Sequence, residues 1–329
     1  MNKLLAAILT VTISIVLTLI AAEAVIAVVK PAPTICKIDV STDFGAYVLS
    51  TNRKLVYVGK PNGPGMNRYG LRGKEYPLQK GNKKRIVFMG DSVTDGLNVS
   101  GRFTDLLERT VGNTYDIINF AVNGYNLIQE AEYLKELGVK FAPDYVLFIV
   151  CANDLDVASG IVNTMGETKG SGGLSLLEQY RNAQGLADDV FSRSNIYRYI
   201  KAVAISRQAE KKIADEGGLH VLTRPDVDAA LHQINDLARQ YHFKPIFVFV
   251  PQMCDAYEVS RMAEYHAALQ DQKAPILDLD VLTDRLMPKP QKYRLFLGGS
   301  HWHYNESGHR FVAALLLDFI RSGGLDTLQ

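Results

Sequence analysis

Apolar and polar positions along this chain follow two distinct periods. Ile86-Val87-Phe88-Met89 is a short β-branched and aromatic run that predicts a buried strand over 85–89. Similar runs predict strands over 116–121, 145–151, Pro245–Val250 and Ile276–Leu279. Between them, apolar residues recurring every three to four positions predict helices over about 101–111, 126–138, 226–240 and 257–269. A last helix follows, with Asn305 as its N-cap and Phe311, Ala314, Leu315 and Phe319 expected against a sheet. Strands alternating with helices imply an α/β fold: a parallel sheet covered on both faces, an α/β/α sandwich of three layers. No internal repeat is visible.

Two stretches depart from that rhythm. Leu4 to Ala22 is 19 consecutive uncharged, mostly apolar residues, and apolar character resumes after Glu23 through Val29. About 20 apolar residues cross a bilayer, whereas signal-peptide apolar cores run about 7–15. Residues 1–30 therefore read as a membrane anchor or signal segment, with Ala22-Glu23-Ala24 acceptable as a cleavage site. Lys3 favours the N-terminus inside. The remainder is then expected outside the cytoplasm, periplasmic or extracellular, and secreted if the segment is cleaved. Residues 31–83 read as a tether and leader, and 84–329 as the main domain. Within that domain, 156–225 form an insertion with the glycine-rich Lys169–Gly173 and a helical pattern from Leu174 to Ile213. It suits either a structural appendage or a cap over a site.

Composition narrows the partners. The chain has 329 residues, 47% of them apolar, enough for one large core. Lys+Arg of 36 against Asp+Glu of 35 leaves no basic surface excess, which excludes nucleic acid as a general partner. Cys36, Cys151 and Cys254 are an odd number, so at least one thiol is unpaired within the chain. Cys151 falls in a central strand and reads as a small buried hydrophobe. Cys36 with Cys254 remains open as a disulfide of an exported protein.

Candidate chemistry gathers at strand ends. Gly90-Asp91-Ser92-Val93-Thr94-Asp95-Gly96 follows the first strand directly, which lifts a serine hydroxyl above the sheet edge where open α/β folds bind ligands. His303 lies on a loop that the Asn305 cap would pin, and an imidazole can take the proton of an otherwise poor serine nucleophile. The next strands end in Asn123-Gly124-Tyr125 and Ala152-Asn153-Asp154. Gly124 offers an unobstructed backbone N–H and Asn153 a side-chain amide, both suited to a developing oxyanion. His301-x-His303 with His309 nearby has half the pattern of a metal site, but no H-E-x-x-H or paired carboxylates accompany it.

These blocks, Gly90-Asp91-Ser92, Gly124, Asn153-Asp154 and His303-x-Asn305-x-x-Gly308-His309, resemble in content and order those of the SGNH (GDSL-type) hydrolases. Asn67-Arg68-Tyr69-Gly70-Leu71-Arg72-Gly73 is similar to the leader of membrane-tethered members. The resemblance runs from about Lys84 to the C-terminus and implies a flavodoxin-like sheet. It implies Ser92 as nucleophile, His303 as general base, and an oxyanion hole of Gly124, Asn153 and the Ser92 N–H. Cys151-Ala152 stands where the family has Gly-x, and Ser300 stands where it has an acid, three residues before the histidine. A Ser–His dyad or reduced activity is therefore expected.

The function implied is an exported serine esterase that cleaves acyl esters, acetyl among them, through an acyl-enzyme on Ser92. The partners expected are a small acyl ester or an acylated glycan of the envelope or a secreted polysaccharide, and the membrane through the N-terminal helix. An O-acyltransferase using the same residues and a non-catalytic glycan-binding module are the alternatives. No cofactor and no metal are expected, and the sequence carries no reading of oligomeric state.

Overall fold

The computed structural model describes residues 3–29, 47–52, 54–55, 57–96, 99–155, 191, 194–197, 200, 222–254, 256–298 and 303–328. Five strands build its central sheet: β3 (Lys84–Met89), β4 (Tyr115–Asn119), β5 (Tyr145–Val150), β6 (Lys244–Phe249) and β7 (Ile276–Asp278). A separate antiparallel hairpin pairs β1 (Tyr47–Leu49) with β2 (Tyr57–Gly59) in the register Tyr47↔Gly59. The sheet order is β4-β3-β5-β6-β7 and every pairing is parallel, with Ile86 opposite Ile117 on one side and Tyr145 on the other. That is the flavodoxin-like order, and it makes the C-terminal end of β3 the point where the chain reverses direction across the sheet.

Helices cover both faces. One face packs Val87, Met89, Phe120, Phe148 and Phe247 against α4 (Leu127–Glu136), α5 (Arg224–Tyr241) and α6 (Ala256–Asp271). The other packs Ile86, Phe88, Leu147, Ile149 and Val248 against α3 (Phe103–Val111), α7 (Leu279–Leu286) and α8 (Glu306–Arg321). All six residues of β5 are buried, as a central parallel strand with both faces covered requires. Each fully buried aliphatic or aromatic side chain in these layers contributes about 1.5–3 kcal/mol relative to exposure.

The last helix turns a different face to the sheet from the one expected. Val312, Ala313, Leu316 and Ile320 are buried, while Ala314 is exposed and Phe311, Leu315 and Phe319 only flank the core. The stretch is apolar nearly all round, so its period alone does not choose the face. From Tyr47 onward the leader also enters the core: Tyr47, Leu55, Tyr57 and Leu71 join the cluster that contains Phe120, Tyr125 and Phe141.

Ahead of the domain runs α1 (Lys3–Val29), whose Leu5–Val28 stretch has a mean hydropathy of 2.5 and is long and apolar enough to cross a membrane. The Glu23 carboxylate on this helix accepts hydrogen bonds from Ser194 Oγ at 3.0 Å, Ile196 N at 3.0 Å and Asn195 N. Apart from residues 191, 194–197, 200 and 222–225, the expected insertion, with its glycine-rich stretch and most of the Leu174–Ile213 helical pattern, lies outside the described residues, as do residues 30–46 with Cys36.

Candidate active site

Strand β3 delivers its last residue, Met89, into a turn that only small residues fit. A Cβ on Gly90 would lie 2.3 Å from Thr94 Oγ1, so the backbone there has no room for a side chain. Asp91 then caps the short helix α2 (Ser92–Asp95), its Oδ1 accepting from Val93 N at 2.9 Å. Gly96 closes the helix in the left-handed region at φ 75°, donating to Ser92 O at 3.1 Å. The leader braces this helix from outside through Arg72, which pairs with the buried Asp95 at 3.0 Å, and Arg102 at the start of α3 lies 3.9 Å from the same carboxylate.

His303 arrives from the other end of the sequence on a pinned loop. Its carbonyl accepts from Leu297 N at 2.8 Å, and the next residue, Tyr304, is buried with its hydroxyl on Pro251 O. Asn305 caps α8 as expected, accepting from Ser307 N at 2.9 Å and Gly308 N at 3.1 Å. Its amide donates to Arg294 O and Phe296 O, which fixes the loop from both sides. The result is a Ser92 Oγ to His303 Nε2 distance of 2.8 Å across 211 residues of chain. His309 is elsewhere: it is buried, its ring stacks on Phe103 and its Nδ1 accepts from Phe103 N at 3.2 Å. Burial pushes its pKa down to about 4.

The strands on either side of β3 bring in the other two candidates. After β4 the chain turns over Val122–Tyr125, with Tyr125 N donating to Val122 O at 3.1 Å and Gly124 left-handed at φ 72°. Val122 N donates to Gly90 O at 3.1 Å, tying this turn to the serine turn. After β5, Asn153 sits in a 3₁₀ turn, Ala152–Leu155. Asp154 Oδ2 accepts from Cys151 N at 2.8 Å, and Gln252 Oε1 accepts from Ala152 N at 2.8 Å while its amide donates to Val150 O at 3.0 Å. The Asn153 backbone thus stands at the strand end flanking Ser92, and its side chain lies outside the described set.

Electrostatics favour a neutral imidazole. Burial holds the His303 pKa below its ordinary value, and the Asp91 carboxylate partly opposes that shift. Ser92 Oγ lies 3.4 Å from Asp91 Oδ2. Beneath the turn, burial and the carboxylates of Asp154 and Asp91 push the Glu130 carboxyl well above its usual range. The buried Cys151 thiol is likewise pushed well up, so it is an inert core group. Ser300 and His301, where the acid position and half of a metal pattern were in view, lie outside the described residues. Among the described residues no group of three or more His, Cys, Asp or Glu is arranged to hold a metal ion.

Sequence reasoning gave no separate role to Asp91, Gln252 or the leader tyrosines. Asp91 had a visible signal, its place inside the serine block. Gln252 had none, since the strand-end groups it holds, Ala152 N and Val150 O, are about 100 residues away.

The structure thus sets a serine at the switch point of a flavodoxin-like sheet, hydrogen-bonded to a loop histidine. A model of the GDSL-like Lipase/Acylhydrolase family matches residues 88–311, more than half of the chain, and the chain belongs to that family. Membership carries with it ester hydrolase activity as the class of reaction. Similar solved structures include the lipase/acylhydrolase from Enterococcus faecalis, at 15% identity and a TM-score of 0.45, covering 75% of this chain and 99% of that one. A GDSL-like lipase from Bacteroides thetaiotaomicron matches at 14% identity and a TM-score of 0.41, covering 75% and 93%. A catalytic mutant of an acetylxylan esterase from Geobacillus stearothermophilus matches at 11% identity and 0.43, covering 73% and 95%. No curated protein matches the sequence significantly.

Proposed function

We propose that this chain is a membrane-anchored serine esterase that cleaves acyl esters outside the cytoplasm, with Ser92 as nucleophile and His303 as general base. The observation that carries the reading is the 2.8 Å contact between Ser92 Oγ and His303 Nε2 at the sheet's switch point. Ser92 Oγ attacks the ester carbonyl, forming the C–O bond as its proton passes to Nε2 and the carbonyl electron pair moves onto oxygen. The Ser92 and Gly124 N–H groups and the Asn153 amide receive that oxyanion. Collapse expels the alcohol, which takes the proton from His303, and water resolves the acyl-enzyme by the same steps in reverse roles. Small acyl esters and acetylated glycans fit this chemistry alike. The apolar helix α1 supports attachment to the membrane, and Lys3 at its start supports an outward-facing domain.

Labelling by a serine-directed fluorophosphonate tests the assignment. Wild-type protein is expected to label, and Ser92→Ala to fold normally and not label. Equal labelling of the two would remove Ser92 from the mechanism.

A further inference from the structure

Both backbone groups of Asn123 are engaged by tyrosines of the N-terminal hairpin. The Tyr57 hydroxyl donates to Asn123 O, and Asn123 N donates to the Tyr47 hydroxyl over a long 3.5 Å. Tyr57 is itself held: it is 2% exposed, its ring meets those of Tyr47 and Tyr125 edge-on at 5.7 and 5.3 Å, and its own carbonyl accepts from the Tyr125 hydroxyl. The phenol is therefore a fixed donor, not a roaming one.

What Tyr57 grips matters more than how tightly. The Asn123 carbonyl and the Gly124 N–H belong to one peptide unit, and a trans peptide is planar with its N–H pointing opposite to its C=O. Gly124 has φ 72° while Asn123 is not left-handed, so the turn over Val122–Tyr125 is of type II. Types I and II differ chiefly in which way that central peptide faces. A donor fixed on the Asn123 oxygen selects one orientation and so aims the Gly124 N–H. It also polarises the same amide, which strengthens the N–H as a donor.

We propose that Tyr57, supported by Tyr47, is a positioning residue that aims the Gly124 N–H at the reacting carbonyl. The N-terminal hairpin is then part of the catalytic apparatus, not a spacer to the membrane. This rests on the reading of Gly124 as an oxyanion donor.

The test compares the full chain in detergent with its Tyr57→Phe and Tyr133→Phe variants, using p-nitrophenyl acetate and its thiono analogue. The C=S sulfur is a poor hydrogen-bond acceptor, so the ratio of ester to thionoester turnover reads the oxyanion hole alone. Partial unfolding lowers both rates together and leaves the ratio unchanged. Tyr57→Phe is expected to lower kcat on the ester about tenfold, with KM within about twofold, and to lower the ratio by a similar factor. Tyr133→Phe removes a buried phenol from the same core cluster that bonds neither the hairpin nor the turn over Val122–Tyr125, and its ratio is expected to stay at the wild-type value. An unchanged ratio in Tyr57→Phe, or an equal fall in Tyr133→Phe, overturns the proposal. Absence of fluorophosphonate labelling in the wild type would instead remove the active-site reading beneath it, and the proposal with it.

Discussion

Replacing Asp91 with Asn should move the acidic limb of the pH–rate profile while sparing the fold. Asn caps a helix about as well as Asp, so the bond to Val93 N survives and α2 keeps its start. What is lost is one negative charge. Ser92 Oγ lies 3.4 Å from Asp91 Oδ2 and 2.8 Å from His303 Nε2, which bounds the carboxylate-to-imidazole separation at about 6 Å. At an effective dielectric of about 20, unit charges at that distance interact by about 2–3 kcal/mol, or up to about two pH units. His303 is half-buried and water screens part of this, so a shift of about one unit is expected.

The direction follows from the charges. Burial already holds the His303 pKa low, and Asp91 works against burial by favouring the imidazolium. Without Asp91 the pKa falls further, and the base stays unprotonated to lower pH. The plateau rate should change by less than the limb does. In the transition state the carboxylate stabilises the imidazolium but opposes the nearby oxyanion, and the two effects partly cancel. The assay is kcat/KM on p-nitrophenyl acetate from about pH 4 to pH 9, which reports the free enzyme's base. An acidic limb that stays in place, or moves up, would refute the assignment of Asp91 as the charge acting on His303.

Two further outcomes are expected. Asn153→Ala should lower kcat about 10²–10³-fold with little change in thermal stability, and a loss under about threefold in steady-state assays would exclude it as an oxyanion donor. Glu130→Gln should stabilise the protein progressively more at higher pH. The native Glu130 carboxyl holds its proton well above the ordinary 4.5, so no stability is lost below that value, and it falls as pH rises towards the native pKa. Each pH unit in that window costs up to about 1.4 kcal/mol in the wild type and nothing in the amide variant. Urea titrations at pH 5 and about pH 8 that give the same wild-type-to-variant difference would contradict it.

Features set by local sequence were the ones that could be read before the structure. The strand over 85–89 with its serine turn, the Asn305 cap and the alternation of strands and helices each depend on neighbours within a few residues. The face of α8 was misjudged because apolar residues surround that helix, and only the packed sheet selects Val312 and Leu316 over Ala314 and Leu315. The leader reads as a connection because its alternation is short: Leu55, Tyr57 and Gly59 turn inward over only a few residues, with Tyr47 and Leu71 standing apart from them. Their burial comes from partners such as Asn123, 66 residues beyond Tyr57. Asp91 was visible as a motif residue, yet its action on His303 arises only when residues 211 apart in sequence meet at Ser92.

The candidate groups share a mode of support that explains why the Ser92–His303 contact is already formed. Each sits on a short turn, and each turn is tied by a hydrogen bond to a different neighbour: Val122 N to Gly90 O, Ala152 N to Gln252, Leu297 N to His303 O. Those neighbours lie on loops just past β3, β6 and the 3₁₀ turn Tyr293–Leu295, whose apolar residues are buried in the two clusters on either side of the sheet. Geometry at the site is thus set by packing that is complete before substrate arrives, and little reorganisation remains for the chemical step. Acceptor choice is a different matter. On the proposed mechanism, water and a sugar hydroxyl would both be deprotonated by His303 and would meet the same oxyanion donors. Under that mechanism hydrolysis and transfer would differ in what can approach the acyl-serine, and not in the residues that form and resolve it.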